Sequence, residues 1–221
     1  MARRLSENRP MPPDPLERMF GDLEERINGI AAMIAADHYN VAQEPAFTSR
    51  LAQEIESELR RHPINKAGLR LEVATQDLGD RGPGALEKRV GADLYISLAR
   101  RDRRPPVSKG MLMQAKWDIT ANDRKLGSQM QEMMARSEDA YVWFYGPTEI
   151  QCAKASDLMQ NHVPFRSLTV GEMIVNGLRC SAGDVGIGRD LTLSRADGMR
   201  AQLAALRTPQ GLSFAVVRNT K

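Results

Sequence analysis

Asp93, Gln114 and Lys116 are the residues whose types and spacing carry chemistry in this chain. Asp93 opens the apolar, β-branched part of V-G-A-D-L-Y-I-S-L (90–98), and Gln114 and Lys116 stand two apart near the end of G-M-L-M-Q-A-K-W (110–117). Side chains alternate across a strand, so Gln114 and Lys116 share one face, with Met113, Ala115 and Trp117 on the other. If the two runs pair as a hairpin, a carboxylate, an amide oxygen and an ammonium meet in one small space. Carboxylate and amide oxygens suit a hard cation, and a cation beside an ammonium suits a phosphate.

The elements that must position these residues follow from local patterning. Residues 1–13 carry Arg3, Arg4, Arg9 and three prolines without an apolar period, and are expected to be a disordered tail. Asp14-Pro15 starts a helix with Leu16, Phe20, Leu23, Ile27, Ile30 and Ile34 at helical spacing; it either covers the core or pairs with a second copy of the chain. A second helix is expected over 45–61, striped by Phe47, Leu51, Ile55 and Leu59 and stopped by His62-Pro63. Residues 68–74 alternate like a strand, and 77–84 read as a glycine-rich turn. After the two site strands come a helix over 120–137, with Thr120 and Asp123 at capping spacing and Leu126, Met130, Met133 and Met134 facing inward, and strands over 140–145 and 149–154 around Gly146-Pro147. The C-terminal part reads as helices over 170–178 and 194–206 and a last strand over 212–217. The expected organisation is a tail and helical extension over 1–44, a core over 45–160, and a C-terminal helical extension of the same domain over 161–221.

Asp93 at the start of one strand, followed by Gln-Ala-Lys in the next, resembles the D...(E/Q)xK signature of the PD-(D/E)XK superfamily, the restriction-endonuclease-like nucleases. The likeness covers three residues and the order of elements over roughly 45–158, and Gln114 stands where many members have Glu. It implies an α/β fold: a restriction-endonuclease-like core, with a mixed central β-sheet flanked by helices and here preceded by a helical extension. It also implies a metal-dependent DNA endonuclease using Mg²⁺ or Mn²⁺, in which Asp93 and the Gln114 carbonyl oxygen hold the ion and Lys116 orients the nucleophile or stabilises charge on the phosphate. In the family resembled, a Glu from the helix before the first strand often joins the site. At about 100° per residue, Glu54 falls on the border of the apolar stripe and Glu58 inside it, whereas Glu56 falls at about 140°, facing water. Glu54 is therefore the expected additional catalytic and metal residue, Glu58 the second candidate ligand, and Glu72 the next to try. The basic loop between the strands, with Arg100, Arg101, Arg103, Arg104 and Lys109, is expected to contact the DNA backbone, and Gln129 on the following helix to line the site. The resemblance further places the chain in bacterial defence against foreign DNA or in DNA processing, with DNA, a second copy or other defence proteins as partners. Neutral Gln114 leaves a rival: the same fold, catalytically weak or inactive, serving as a nucleic-acid-binding or assembly subunit.

Composition agrees with a polyanionic partner. The net charge is +3, yet between Arg81 and Lys125 eleven Lys and Arg face five Asp and Glu, so positive charge is concentrated around the site. Two cysteines, Cys152 and Cys180, without a C-x-x-C pair or a signal peptide, lead to the expectation of a reducing, cytoplasmic setting. No apolar run approaches the ~18 residues of a membrane span. Neither G-x-S-x-G, a Walker A sequence nor a zinc pattern is present, and Gly183, Gly186 and Gly188 are in the wrong order for a dinucleotide loop. Tyr141, Trp143, Phe144 and Tyr145 read as core.

Overall fold

The computed structural model describes residues 14–37, 43–78, 91–117, 124–160 and 166–219. The tail over 1–13, most of the glycine-rich turn, and Thr120 and Asp123 lie outside the described residues. Helix α1 (Pro15–Ala36) starts as expected: Asp14 Oδ1 accepts from Leu16 N at 3.1 Å, and the stripe from Phe20 to Ile34 is buried. It covers the core by packing on α5 (Val170–Leu178), where Gly171 N donates to Asn28 Oδ1 at 2.9 Å. A Cβ on Gly171 would sit 2.5 Å from Glu24 O, so only glycine lets the two backbones approach this closely.

Among the described residues seven strands form one sheet: β1 (Asn65–Lys66), β2 (Leu69–Asp77), β3 (Leu94–Arg100), β4 (Val107–Lys116), β5 (Ala140–Tyr145), β6 (Ile150–Lys154) and β7 (Gln210–Arg218), in the order β1-β2-β7-β3-β4-β5-β6. The sheet is mixed, with β3/β7 and β4/β5 parallel and the other neighbours antiparallel. Hairpin β3–β4 forms as expected, from Leu94↔Met113 to Arg100↔Val107. The C-terminal segment differs from a helical extension. Its strand β7 lies inside the sheet, between β2 and β3, which explains why Gln210 to Val216 are all buried.

Alternation along the strands divides the core into two. Leu94, Ile96, Met113, Ala115, Trp143, Tyr145 and Phe214 face α1, α2 (Glu44–Arg61) and α5 on a first face. Tyr95, Leu112, Val142 and Phe144 face α3 (Arg124–Met134), α4 (Ala155–Met159) and α6 (Arg195–Leu206) on a second. Buried Leu126, Met130 and Met133 point inward from α3 as the periodicity predicts, and Met134 is partly buried. The chain is thus α/β, a mixed sheet flanked by helices on both sides. Among the described residues no helix is long and apolar enough to cross a membrane. Cys152 and Cys180 are free thiols.

Candidate functional site

The hairpin brings Asp93, Gln114 and Lys116 to one end of the sheet, where they are 4, 3 and 9 % exposed. Asp93 stands one residue before β3, its N–H donating to Met113 O at 2.7 Å. There its side chain takes over from the ladder: Asp93 Oδ2 accepts from Ala115 N at 3.0 Å and from Gln114 Nε2 at 2.5 Å. Gln114 Nε2 also donates to Ala115 O at 3.1 Å, while Gln114 Oε1 is buried with no hydrogen-bond partner. Lys116 follows two residues later on the same face.

Gly91 makes the approach to Asp93 possible. It has φ +66°, and a Cβ there would lie 2.7 Å from Gln129 O and 2.8 Å from Gln129 Cα. The backbone of α3 at Gln129 therefore packs directly on the turn that leads into Asp93. Gln129 Oε1 is a second buried oxygen without a partner.

One carboxylate that the helix stripe does not single out is Glu44. It begins α2, and Glu44 Oε1 accepts from the backbone N–H of Trp117, the residue after Lys116, at 3.0 Å. One turn on, Thr48 donates to Glu44 O at 3.0 Å and its hydroxyl lies 2.6 Å from Tyr145 Oη. Burial pushes the Tyr145 phenol pKa upward, the Thr48 hydrogen bond opposes this, and the charges of Asp93 and Glu44 add to the rise. Both carboxylates therefore stand within electrostatic reach of one phenol at the end of β5. A sequence signal exists in Glu44-Pro45 at the helix start, where an acid is favoured by the exposed amides of the first turn.

Glu54 and Glu58 go elsewhere. They line a groove of about 480 Å³ between α1 and α2 with Arg26, Ile30, Met33 and Arg61. Both pair with Arg61, at 3.3 and 3.1 Å, and Glu58 lies 3.8 Å from His62. The reason is that α2 covers the first face of the sheet, whereas Gln114 and Lys116 project from the second. Glu56, expected to face water, has a side chain only 15 % exposed; it accepts from Thr75 Oγ1 and pairs with Arg60. Glu72 pairs with Arg70 on β2, separated from β3 by β7.

The basic loop is split. Arg100 is tied to Asp102 at 2.7 and 2.8 Å and to Leu178 O at 2.9 Å, and Lys109 donates to Cys180 O and Ala182 O at 3.2 and 2.8 Å. These two brace the C-terminal segment. Arg101, Arg103 and Arg104 are exposed. All five sit away from Asp93 along the hairpin: at ~3.3 Å per residue Arg100 and the loop beyond it are roughly 23 Å or more distant, and Lys109, paired with Leu98, roughly 16 Å.

Unpartnered Gln114 Oε1 beside the Asp93 carboxylate fits a hard cation, which prefers oxygen donors. Nε2 is the atom that faces Asp93, so an ion shared with that carboxylate requires the amide to turn about its terminal torsion and bring Oε1 to the place of the donor. Among the described residues no three Asp, Glu, His or Cys side chains are grouped closely enough to hold a metal. In comparisons with known proteins the chain matches no family model, no curated protein and no solved structure.

Proposed function

We propose that this chain is a metal-dependent DNA endonuclease of the PD-(D/E)XK type, hydrolysing phosphodiester bonds at the end of the β3–β4 hairpin. The observation that carries this reading is the buried pair of Asp93 and Gln114, with an amide oxygen left without a partner and Lys116 on the same face. Asp93 and Gln114 Oε1 would hold Mg²⁺ or Mn²⁺, with Glu44 as the second carboxylate in place of Glu54 and Glu58. When bound, such an ion supplies Lewis acidity, offsetting charge on the phosphate and making a nucleophilic water more acidic. Lys116 donates hydrogen bonds to the phosphate or to that water, and its low exposure strengthens the interaction by excluding solvent. Arg101, Arg103 and Arg104 reach the backbone of the same duplex some distance from the cut. Defence against foreign DNA or DNA processing is the setting that goes with this reading.

One observation favours the non-catalytic alternative: Asp93 Oδ2 already accepts two hydrogen bonds from β4, so the pair can act as a strut holding the hairpin end in a nucleic-acid-binding subunit. Incubating the purified chain with supercoiled plasmid, and in parallel with RNA, in Mg²⁺, Mn²⁺ or chelator separates the two. The nuclease nicks or cuts DNA only with the divalent ion and takes up Mg²⁺ in a calorimeter; the strut does neither.

A further inference from the structure

Arg189 is 3 % exposed, yet its Nε and Nη1 have no hydrogen-bond partner. It follows the 3-10 turn Val185–Ile187, which lies on the second face of the sheet, where Tyr95 Oη donates to Ile187 O at 2.7 Å. Nη1 lies 3.6 Å from the point where a Cβ on Gly198 would sit, so the guanidinium rests on the first turn of α6. That turn carries partial positive charge of its own. Ser97 stands beside the Tyr95 phenol on the same face, and the hydroxyl of Ser213, its neighbour across β3 and β7, is buried without a partner.

The surroundings supply more cations than anions. Burial depresses the Arg189 pKa most, and the Arg101 and Arg195 charges depress it further. Of the acids in reach, Glu72 is engaged by Arg70 and by Arg195 at 3.7 Å, and Asp190 accepts from Thr192 N and Oγ1 at 2.8 and 2.7 Å. A buried cation is costly unless an anion or well-placed acceptors meet it, and guanidinium groups match the oxygens of a phosphate.

We propose that Arg189, with Arg101 and Arg195 around it at the N-terminal turn of α6, forms an oxyanion site that takes a phosphate of a nucleic-acid backbone. The site is on the same face as Gln114 and Lys116, and Ser97 lies four residues, about 13 Å, along β3 from Asp93. Exposed Arg101, Arg103 and Arg104 continue the positive charge outward from it. Assignment to nucleic acid rests on the nuclease reading; the oxyanion site itself does not.

Thermal melts of the full chain in inorganic phosphate and in chloride at matched ionic strength test the site. Phosphate is expected to raise the wild-type Tm saturably. Arg189→Met, close in volume and uncharged, is expected to melt no lower than wild type in chloride and to show no phosphate response. Arg101→Gln/Arg195→Gln, which changes only side chains that reach the surface, is expected to abolish most of that response. An equal phosphate response in wild type and this double variant overturns the site, even where Arg189→Met fails to fold. In a second arm, the salt dependence of duplex binding by the double variant is expected to flatten by about 0.9 log unit per log salt for each phosphate no longer neutralised. An unchanged slope in a variant that no longer responds to phosphate overturns the backbone assignment and makes free phosphate the ligand. A chain that cleaves nothing but keeps the phosphate response refutes the nuclease reading alone.

Discussion

Replacing Asp93 tests structure and chemistry at once, and the two must be separated. In Asp93→Ala the carboxylate oxygen that accepts from Ala115 N and Gln114 Nε2 disappears, both within a site almost closed to water. A buried donor left without a partner costs about 1–3 kcal/mol. Gln114 Nε2 keeps Ala115 O at 3.1 Å and falls at the low end, whereas Ala115 N is deprived of the acceptor that continues the ladder. Together the destabilisation is about 2–4 kcal/mol, a fall in Tm of roughly 5–15 °C for a domain of this size. Asp93→Asn keeps an acceptor oxygen for these two bonds and gives up their charge assistance, about 1 kcal/mol. The diagnostic variant is therefore the asparagine: calorimetric unfolding should show it nearly as stable as wild type, while plasmid cleavage in Mg²⁺ falls at least about 100-fold. Full metal-dependent cleavage by a folded Asp93→Asn removes this residue from the chemistry. An unchanged Tm in Asp93→Ala refutes the hydrogen-bond reasoning itself.

Glu44→Gln should keep the bond from Trp117 N but weaken Mg²⁺ binding by about 10-fold or more in calorimetric titration, while Glu54→Gln and Glu58→Gln leave it unchanged; equal affinity in all three takes α2 out of the site. Neutralising Arg101, Arg103 and Arg104 together should flatten the salt dependence of DNA binding without lowering Tm, whereas Arg100→Gln should cost about 3 kcal/mol in urea unfolding by stranding Asp102. Burial alone would raise the Asp102 pKa, but the hydrogen bond and charge of Arg100 outweigh it and hold the carboxyl below its ordinary range. A carboxyl depressed in the folded state stabilises above its unfolded pKa, and that stabilisation disappears as the pH falls through the folded one. The stability advantage of wild type over Asp102→Asn should thus be full at about pH 6 and shrink below about pH 4; a gap independent of pH in denaturant titrations would rule this out.

Most elements are legible in the sequence because their signals are local. The stripe of α1, the alternation around Asp93, Gln114 and Lys116, the Gly146-Pro147 turn and the two C-terminal helices each follow from a few neighbouring residues, and the site pair follows from hairpin geometry alone. The position of β7 does not, since a run such as Leu212 to Val217 announces a strand but not which strands will flank it. The distance between the basic loop and Asp93 is also a matter of hairpin geometry, and it runs against a loop placed beside the site. A shared hairpin implies opposite ends whenever one residue precedes the first strand and the others follow it.

The choice of helix carboxylate shows where local reasoning stops. A wheel ranks residues by angle around the helix axis, and by angle Glu54 and Glu58 look suitable. What decides is position along the axis relative to the sheet. Helix α2 lies over the first face, with Thr48 at the end of β5, Ser49 bonded to Gln210 at the start of β7, and Glu56 beside Thr75 on β2. The sheet therefore stands between the middle of α2 and a site on the second face. Through its first turn, where Glu44 accepts from the N–H beyond Lys116, α2 is instead bonded to the end of the strand that carries Gln114 and Lys116.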